Sequence, residues 1–511
     1  MATIDSLPSD TIDAILRLVI NPVIRTPGDW GLLLCYLGIC PSWRVVAKHY
    51  VCNTGIIELS QDFKIKAALS APDDISHTMV PFTNLRLIEQ GGWQTSVRKL
   101  IIYDRRTTNT TPSSAILSMI AISLSLEECP GITILRKFYD AMQMRQRITQ
   151  SLRSECCEAI EQIISSLINT YPYITSLKYD VQIALSTQKQ LYTGVLNGYA
   201  QQLKSFVSYI PELALDLAAA TQLTVLDLDI SSGLANRPPS IYPQSLQKLT
   251  LRVGQLYPYW GLFYSDKATD ILRFDNLKSL TLYGSQKYSY IDEQTNRGCH
   301  KITMGNVEMP QLHTLRIQDV FLARNDIRQL LRSPLTSVQY CGPPSGGILL
   351  SKQCVNEFDE LVFEFKTDAQ TDFGNFCANT NQLFRISPRS KNVYCSLDST
   401  SGKFPYTGLN WKYVTHMELQ TKDSCQDIIP LVSAFPNLVF LLIFRPDFDL
   451  FSEREEVDWL KSIKSEEIPP STSKIEEMVL IFQDNVPGKE FNEAVQNLKL
   501  YLPKLQNIDI S

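Results

Sequence analysis

The feature that most constrains this chain is a phrase that recurs twelve times after residue 90: an aliphatic or aromatic residue, two variable residues, a second apolar residue, one variable residue, and a third. It reads Val97-Leu100-Ile102, Ile174-Leu177-Tyr179, Leu223-Leu226-Leu228, Leu246-Leu249-Leu251, Leu277-Leu280-Leu282, Leu312-Leu315-Ile317, Leu335-Val338-Tyr340, Phe358-Leu361-Phe363, Val414-Met417-Leu419, Leu438-Leu441-Ile443, Ile475-Met478-Leu480 and Leu505-Ile508-Ile510. From Leu223 onward the starts step by 23, 31, 35, 23, 23, 56, 24, 37 and 30 residues, and the step of 56 has room for one degenerate unit. Alternation of the last two apolar positions predicts a short strand with one buried face, so the residues between them point outward. Several phrases are entered through proline, as at Pro172, Pro310, Pro436 and Pro503, which ends a helix before the chain turns into the strand. Cys156–Asn169, Asp326–Arg332, Asp427–Ala434 and Phe491–Tyr501 carry apolar residues three and four apart and read as helices between strands.

A period in the twenties to thirties with this core is the signature of leucine-rich repeats. The expected fold class is therefore α/β, an irregular solenoid with a curved parallel sheet and helices on its convex side. The asparagine usual after the strand is replaced by Ser231, Gly254, Ser285 and Val320, so unit lengths are uneven. Residues 103–173 are mainly helical and degenerate. The alternative is a non-repetitive α/β domain.

The first fifty residues follow another pattern. Asp5 or Ser6 can cap a helix starting near Leu7-Pro8, and Ile12, Ile15, Leu16 and Val19 make its apolar stripe. A second helix begins at Trp30, and a third runs over about 42–50 with Trp43, Val46 and Ala47. Three short helices are too small to bury all of these side chains internally, so part of the stripe is expected to meet a partner or the next domain. Leu7-Pro8, the spaced aliphatics and Cys40-Pro41-Ser42-Trp43-Arg44-Val45-Val46-Ala47 together resemble the F-box. The resemblance covers residues 4 to 52, and the Pro22–Asp29 connection is longer than that family's usual one. It divides the chain into a helical module, 1–55, and a solenoid, 56–511. It also implies docking onto a Skp-family adaptor, and through it a cullin, by Leu7, Pro8, Ile12, Ile15, Leu16, Cys40, Trp43 and Val46.

Composition narrows the function further. Lys and Arg total 48 against 53 Asp and Glu, a net charge of −5, which is the wrong sign for a general nucleic-acid binder. Twelve cysteines lack framework or CxxC spacing, and five histidines are dispersed, so reduced intracellular thiols are expected and no metal site. The N-terminus has no positive leader region, and no apolar run is long enough to span a membrane; the expected compartment is cytoplasm or nucleus. Phosphate loops, GxSxG and HExxH are absent, and Asp227 with Asp229 is an ordinary solvated pair, so neither catalysis nor a cofactor is expected.

What remains is the outward strand face. Arg252, Tyr283 and Arg316 lie on its polar part; Phe440, Leu442, Phe444, Val479 and Ile481 form an apolar patch, and all eight are candidates for contact with a target protein. The segment Asp447–Phe451 is an alternative cover for that patch. The aromatic stretch 256–264 reads as core on the convex side or as an exposed anchor. The expected function is a non-catalytic substrate-recognition subunit of a Skp–cullin–F-box ubiquitin ligase. A repeat scaffold unconnected with ubiquitin, or a repeat-type regulator of a small GTPase, are the alternatives.

Overall fold

Parallel strands cannot be joined by tight turns, so a chain of short strand phrases spaced by two dozen or more residues has the length that crossover connections require. The computed structural model describes residues 11–12, 45–46, 53–59, 82–83, 85–104, 150–181, 186–210, 217–230, 242–253, 263, 271–284, 300–302, 306–318, 320–322, 329–330, 332–342, 358–366, 392–399, 414–421, 425–445, 450–463, 473–482 and 487–511. The chain divides into two compact units, Met1–Leu246 and Gln247–Ser511.

In the first unit, β1 (Thr54–Leu59) pairs antiparallel with β2 (Phe82–Thr83). Its other edge is parallel to β3 (Lys99–Asp104), followed in order by β4 (Ser176–Val181), β5 (Ser205–Ser208) and β6 (Val225–Ile230). In the second unit the strands run β7 (Lys248–Val253), β9 (Ser279–Gly284), β12 (Thr314–Gln318), β14 (Ser337–Gly342), β15 (Glu360–Lys366) and β16 (Asn392–Ser399). They continue as β17 (His416–Thr421), β18 (Phe440–Arg445), β19 (Glu477–Phe482) and β20 (Asn507–Ile510), all parallel. Two short parallel pairs lie outside this sheet, β8 (Leu272–Arg273) with β11 (Val307–Glu308) and β10 (His300–Ile302) with β13 (Val320–Leu322). The α/β class and the parallel pairing are thus as the phrase predicts.

The phrase is also what the core is made of. Its first residue is buried in every unit from Val97 to Leu505, and its second and third interlock across strands, with Leu249, Leu280, Leu315, Val338, Leu361 and Val393 in one register row. A repeated backbone device fixes that register. The carbonyl just before each strand accepts two successive N–H groups from the next repeat: Arg98 from Thr175 and Ser176, Thr175 from Lys204 and Ser205, His313 from Thr336 and Ser337, and Val439 from Glu476 and Glu477. Threonine suits this entry position because its hydroxyl can add a further bond to the same acceptor, as Thr224 does to Lys204 at 3.0 Å.

Helices fill several of the connections. α1 (Leu85–Gln90) precedes β3, and α2 (Gln150–Thr170) and α3 (Ser186–Tyr199) flank β4. α2 and α3 pack closely because Gly194 and Gly198 on α3 meet Ile164 and Ile168 of α2, where a Cβ would collide with the isoleucine tips. In the second unit, α4 (Ile428–Ala434), α5 (Leu450–Ser462), α6 (Lys489–Ala494) and α7 (Leu498–Tyr501) alternate with β17 to β20. Core-facing Tyr179 donates to the Tyr192 carbonyl of α3 at 3.1 Å, and Phe482 meets Phe491 of α6 edge-on at 5.8 Å. The helices therefore cover the sheet face that carries the phrase.

Several details depart from expectation. β1 begins at Thr54, ahead of the boundary drawn at 55, and has no phrase to announce it. β5 was missed because its third core position is Ser208, a buried serine whose hydroxyl accepts from the Ile210 N–H at 3.3 Å. The 56-residue step does hold a unit, β16. Leu361 pairs with Val393, but Met417 pairs with Cys395, so this longer strand passes the register on two residues later and matches no single phrase. Of 103–173, β3 ends at Asp104 and 150–170 is helix, while the stretch between lies outside the described residues. Within the expected helix 326–332, residues 329–330 are helical.

Candidate interaction face

Residues 11–12 and 45–46 are helical, which falls within the first and third helices expected of the N-terminal module. Ile12 is fully buried. Val46 is half-buried, and Val45, which the motif did not single out, is 74% exposed. Leu7, Pro8, Ile15, Leu16, Cys40 and Trp43 lie outside the described residues.

The outward positions of the second unit form two contrasting regions. At the first, Arg252 on β7, Tyr283 on β9 and Arg316 on β12 come together. Both guanidinium carbons lie 5.5 Å from the Tyr283 ring centroid, a cation–π arrangement worth about 0.5–1 kcal/mol per pair at partly exposed sites. Register places Thr281 between Thr250 and Arg316, and both threonines are nearly buried, at 8% and 7% exposure. Thr281 is thus less open than an outward strand position implies. The first unit uses the same pairing in reverse: Lys178 lies 5.3 Å from the Tyr103 ring and 5.6 Å from Tyr209, and 3.4 Å from Asp180. Lys99 is held below the usual lysine range by burial, with the nearby Lys178 charge adding to the shift.

The second region spans β17 to β20. Leu442 pairs in register with Val479 and Phe444 with Ile481, while Phe440 stands beside His416. All five apolar side chains are half-buried, and adjacency of the strands makes them one patch. His416 stacks on Tyr394 at 4.5 Å and 29°, and its ring lies 6.1 Å from Phe440. Burial pulls the His416 pKa below the ordinary 6.5, so the neutral ring is favoured in this aromatic row. The structure thus brings Phe440, Leu442, Phe444, Val479 and Ile481 together, and separately Arg252, Tyr283 and Arg316. Counted along the sheet, β12 and β18 are about 24 Å apart at the usual strand spacing, so the two sets do not form one site.

An ion pair on the opposite face determines where the chain goes after β18. Arg445 points to the core side and makes a two-pronged salt bridge with Glu456 of α5, at 2.8 and 2.7 Å, with both groups nearly buried. Glu456 also accepts from the Cys425 N–H at 3.4 Å. Together with buried Val457 and Leu460, this anchors α5 on the face away from the apolar patch. Of the segment 447–451 expected as a cover, Leu450 and Phe451 begin α5, and residues 447–449 lie outside the described residues. Sequence reasoning did not find this pair, since an Arg and a Glu eleven residues apart carry no periodic signal.

Among the described residues, no three His, Cys, Asp or Glu side chains are placed to hold a metal ion, and no helix is long and apolar enough to cross a membrane. Burial pushes the Cys395 and Cys425 thiols well above their usual range, which makes them poor nucleophiles. Asp227 and Asp229 are half-buried on the outward face of β6. Phe263, from the aromatic stretch 256–264, is buried edge-on against Phe274 at 5.3 Å, so that residue belongs to the core. Comparison with protein-family models gives no match, and comparison with curated protein sequences gives none either.

Proposed function

We propose that this chain is a non-catalytic recognition subunit of a Skp–cullin–F-box ubiquitin ligase, with an irregular leucine-rich-repeat solenoid behind an F-box-like module. The observation that carries the recognition half is the ordered outward face of the second unit, where five half-buried apolar side chains meet on neighbouring strands. A solvated sheet face ordinarily alternates to polar residues, and a contiguous apolar patch on it marks a contact surface. The adaptor half rests on the Leu7-Pro8 and Cys40-Pro41-Ser42-Trp43-Arg44 segments that precede the first strand. In this reading the module holds the adaptor, the sheet holds a target protein, and ubiquitin transfer is accelerated by raised effective concentration. The site of action is the cytoplasm or nucleus, and neither nucleic acid nor a membrane is a partner.

Co-purification of the full chain with a Skp-family adaptor tests the assignment. The unaltered chain should co-elute with the adaptor, and changing Leu7 and Pro8 together to Ala should abolish co-elution while the circular dichroism spectrum stays the same. Co-elution that survives the double change would count against the F-box reading and favour a repeat scaffold unconnected with ubiquitin.

A further inference from the structure

Among the described outward positions of β17 to β20, the charged side chains beside the apolar patch are acidic. Glu418 lies beside Leu442, Glu477 beside Phe440 and Asp509 beside Val479, and all three carboxylates are exposed. The outward positions of β17 to β20 (residues 416, 418, 420, 440, 442, 444, 477, 479, 481, 507 and 509) contain no Lys or Arg. Lys412 and Lys422, which flank β17 in sequence, lie outside the described residues. Arg445 is turned to the other face with Glu456; Lys474, at the entry to β19, donates to the Asn437 side chain at 2.7 Å, and Lys504 sits in the turn before β20. Phe440 to Phe444 extends about 13 Å along its strand, and three strands span about 10 Å, which matches roughly two turns of a helix about 10 Å wide.

We infer that this face receives an amphipathic helix whose apolar stripe is flanked by Lys and Arg. The inference rests on the reading of the chain as a protein-recognition subunit and names the class of segment it recognises. Leu or Ile at helical spacing covers Leu442, Phe444, Val479 and Ile481. Lysine and arginine stems lie over the aromatic edges and carry their charges out to Glu418, Glu477 and Asp509. An acidic helix meets the same apolar surface but is repelled at the rim. A strand-adding peptide has no role here, because the patch is on the sheet's face and not at an edge.

Fluorescence anisotropy on the full chain without adaptor tests this with labelled model peptides of about 14 residues, close to four helical turns. One has a leucine stripe flanked by lysines, the second replaces each lysine by glutamate, and the third scrambles the first. The lysine peptide should bind, with the glutamate and scrambled versions about tenfold weaker or more, since each exposed charge pair adds little alone but three act together. Leu442→Ser with Ile481→Ser should weaken the lysine peptide by at least about tenfold with an unchanged melting temperature, and Glu418→Gln with Asp509→Asn should flatten its salt dependence. Equal binding of the lysine and glutamate peptides, no binding of either, or unchanged affinity in the apolar double variant would overturn the inference. So would a fall of several degrees in that variant's melting temperature, since it identifies the patch as interior to this chain. Adaptor co-elution is read separately: its loss with peptide binding intact strikes the ligase assignment, and the reverse result strikes only this site.

Discussion

The outward face around β7, β9 and β12 and the one around β17 to β19 belong to the same parallel sheet, yet they handle exposed surface in opposite ways. At the first, two arginines use Tyr283 as their partner, and the threonines among them are almost closed off. At the second, phenylalanine, leucine, valine and isoleucine occupy positions that alternation reserves for polar groups, and the charged residues at the described outward positions of β17 to β20 are all acidic. The first region sets its cations against an aromatic ring, with the Arg316 Nε buried without a hydrogen-bond partner, whereas the second presents apolar area beside carboxylates. A surface is informative about partners where its local chemistry is unbalanced, and less so where it is merely charged.

The largest effect should come from the side of the sheet that both regions share. Leu280→Ala empties a fully buried position and should cost about 2–5 kcal/mol in urea unfolding. Glu456→Ala leaves Arg445 buried without its carboxylate and should cost about 3–5 kcal/mol. If Glu456→Ala proved neutral, α5 would not be anchored by this pair. Next comes a change confined to the outward face: Phe440→Ser with Phe444→Ser should cost about 1 kcal/mol or less in stability, because both rings are only half-buried, while lowering capture of the lysine peptide. A comparable loss of stability for this pair and for Leu280→Ala would erase the distinction between the two faces.

Smaller effects separate the two regions. Tyr283→Ala removes both cation–π contacts and should cost about 1 kcal/mol, with no effect on peptide capture. Loss of capture in that variant would move the binding surface to the cationic region. The smallest effect concerns pH. Because burial lowers the His416 pKa, the folded chain takes up that proton less readily than the unfolded one. Its stability is full above about 6.5 and declines as pH falls below it. His416→Phe should remove that component from a thermal unfolding series across pH 5 to 8, and an identical pH dependence in the variant would show that His416 does not contribute to it.

Much of this organisation was readable from residue order, for physical reasons that also explain the gaps. A buried column such as Leu249, Leu280 and Leu315 imposes the same residue type at the same point in every unit, so it repeats and can be seen. Phe440 and Val479 stood out because they break an alternation already established by other strands. β5 escaped because a hydrogen-bonded serine can occupy a core position, and β16 because a strand serving two registers conforms to neither. The Arg445–Glu456 pair and the Tyr283 cluster depend on which strands and helices become neighbours, and spacing along the chain does not encode that.

Hydrogen–deuterium exchange on the full chain, with and without the lysine-flanked model peptide, most directly tests whether the two regions differ in role. Added protection should fall on residues 416–420, 440–445 and 477–482, leaving 248–253, 279–284 and 314–318 unchanged. Protection concentrated on the latter three strands, or spread equally over all six, would contradict the assignment of recognition to the apolar, acid-rimmed region.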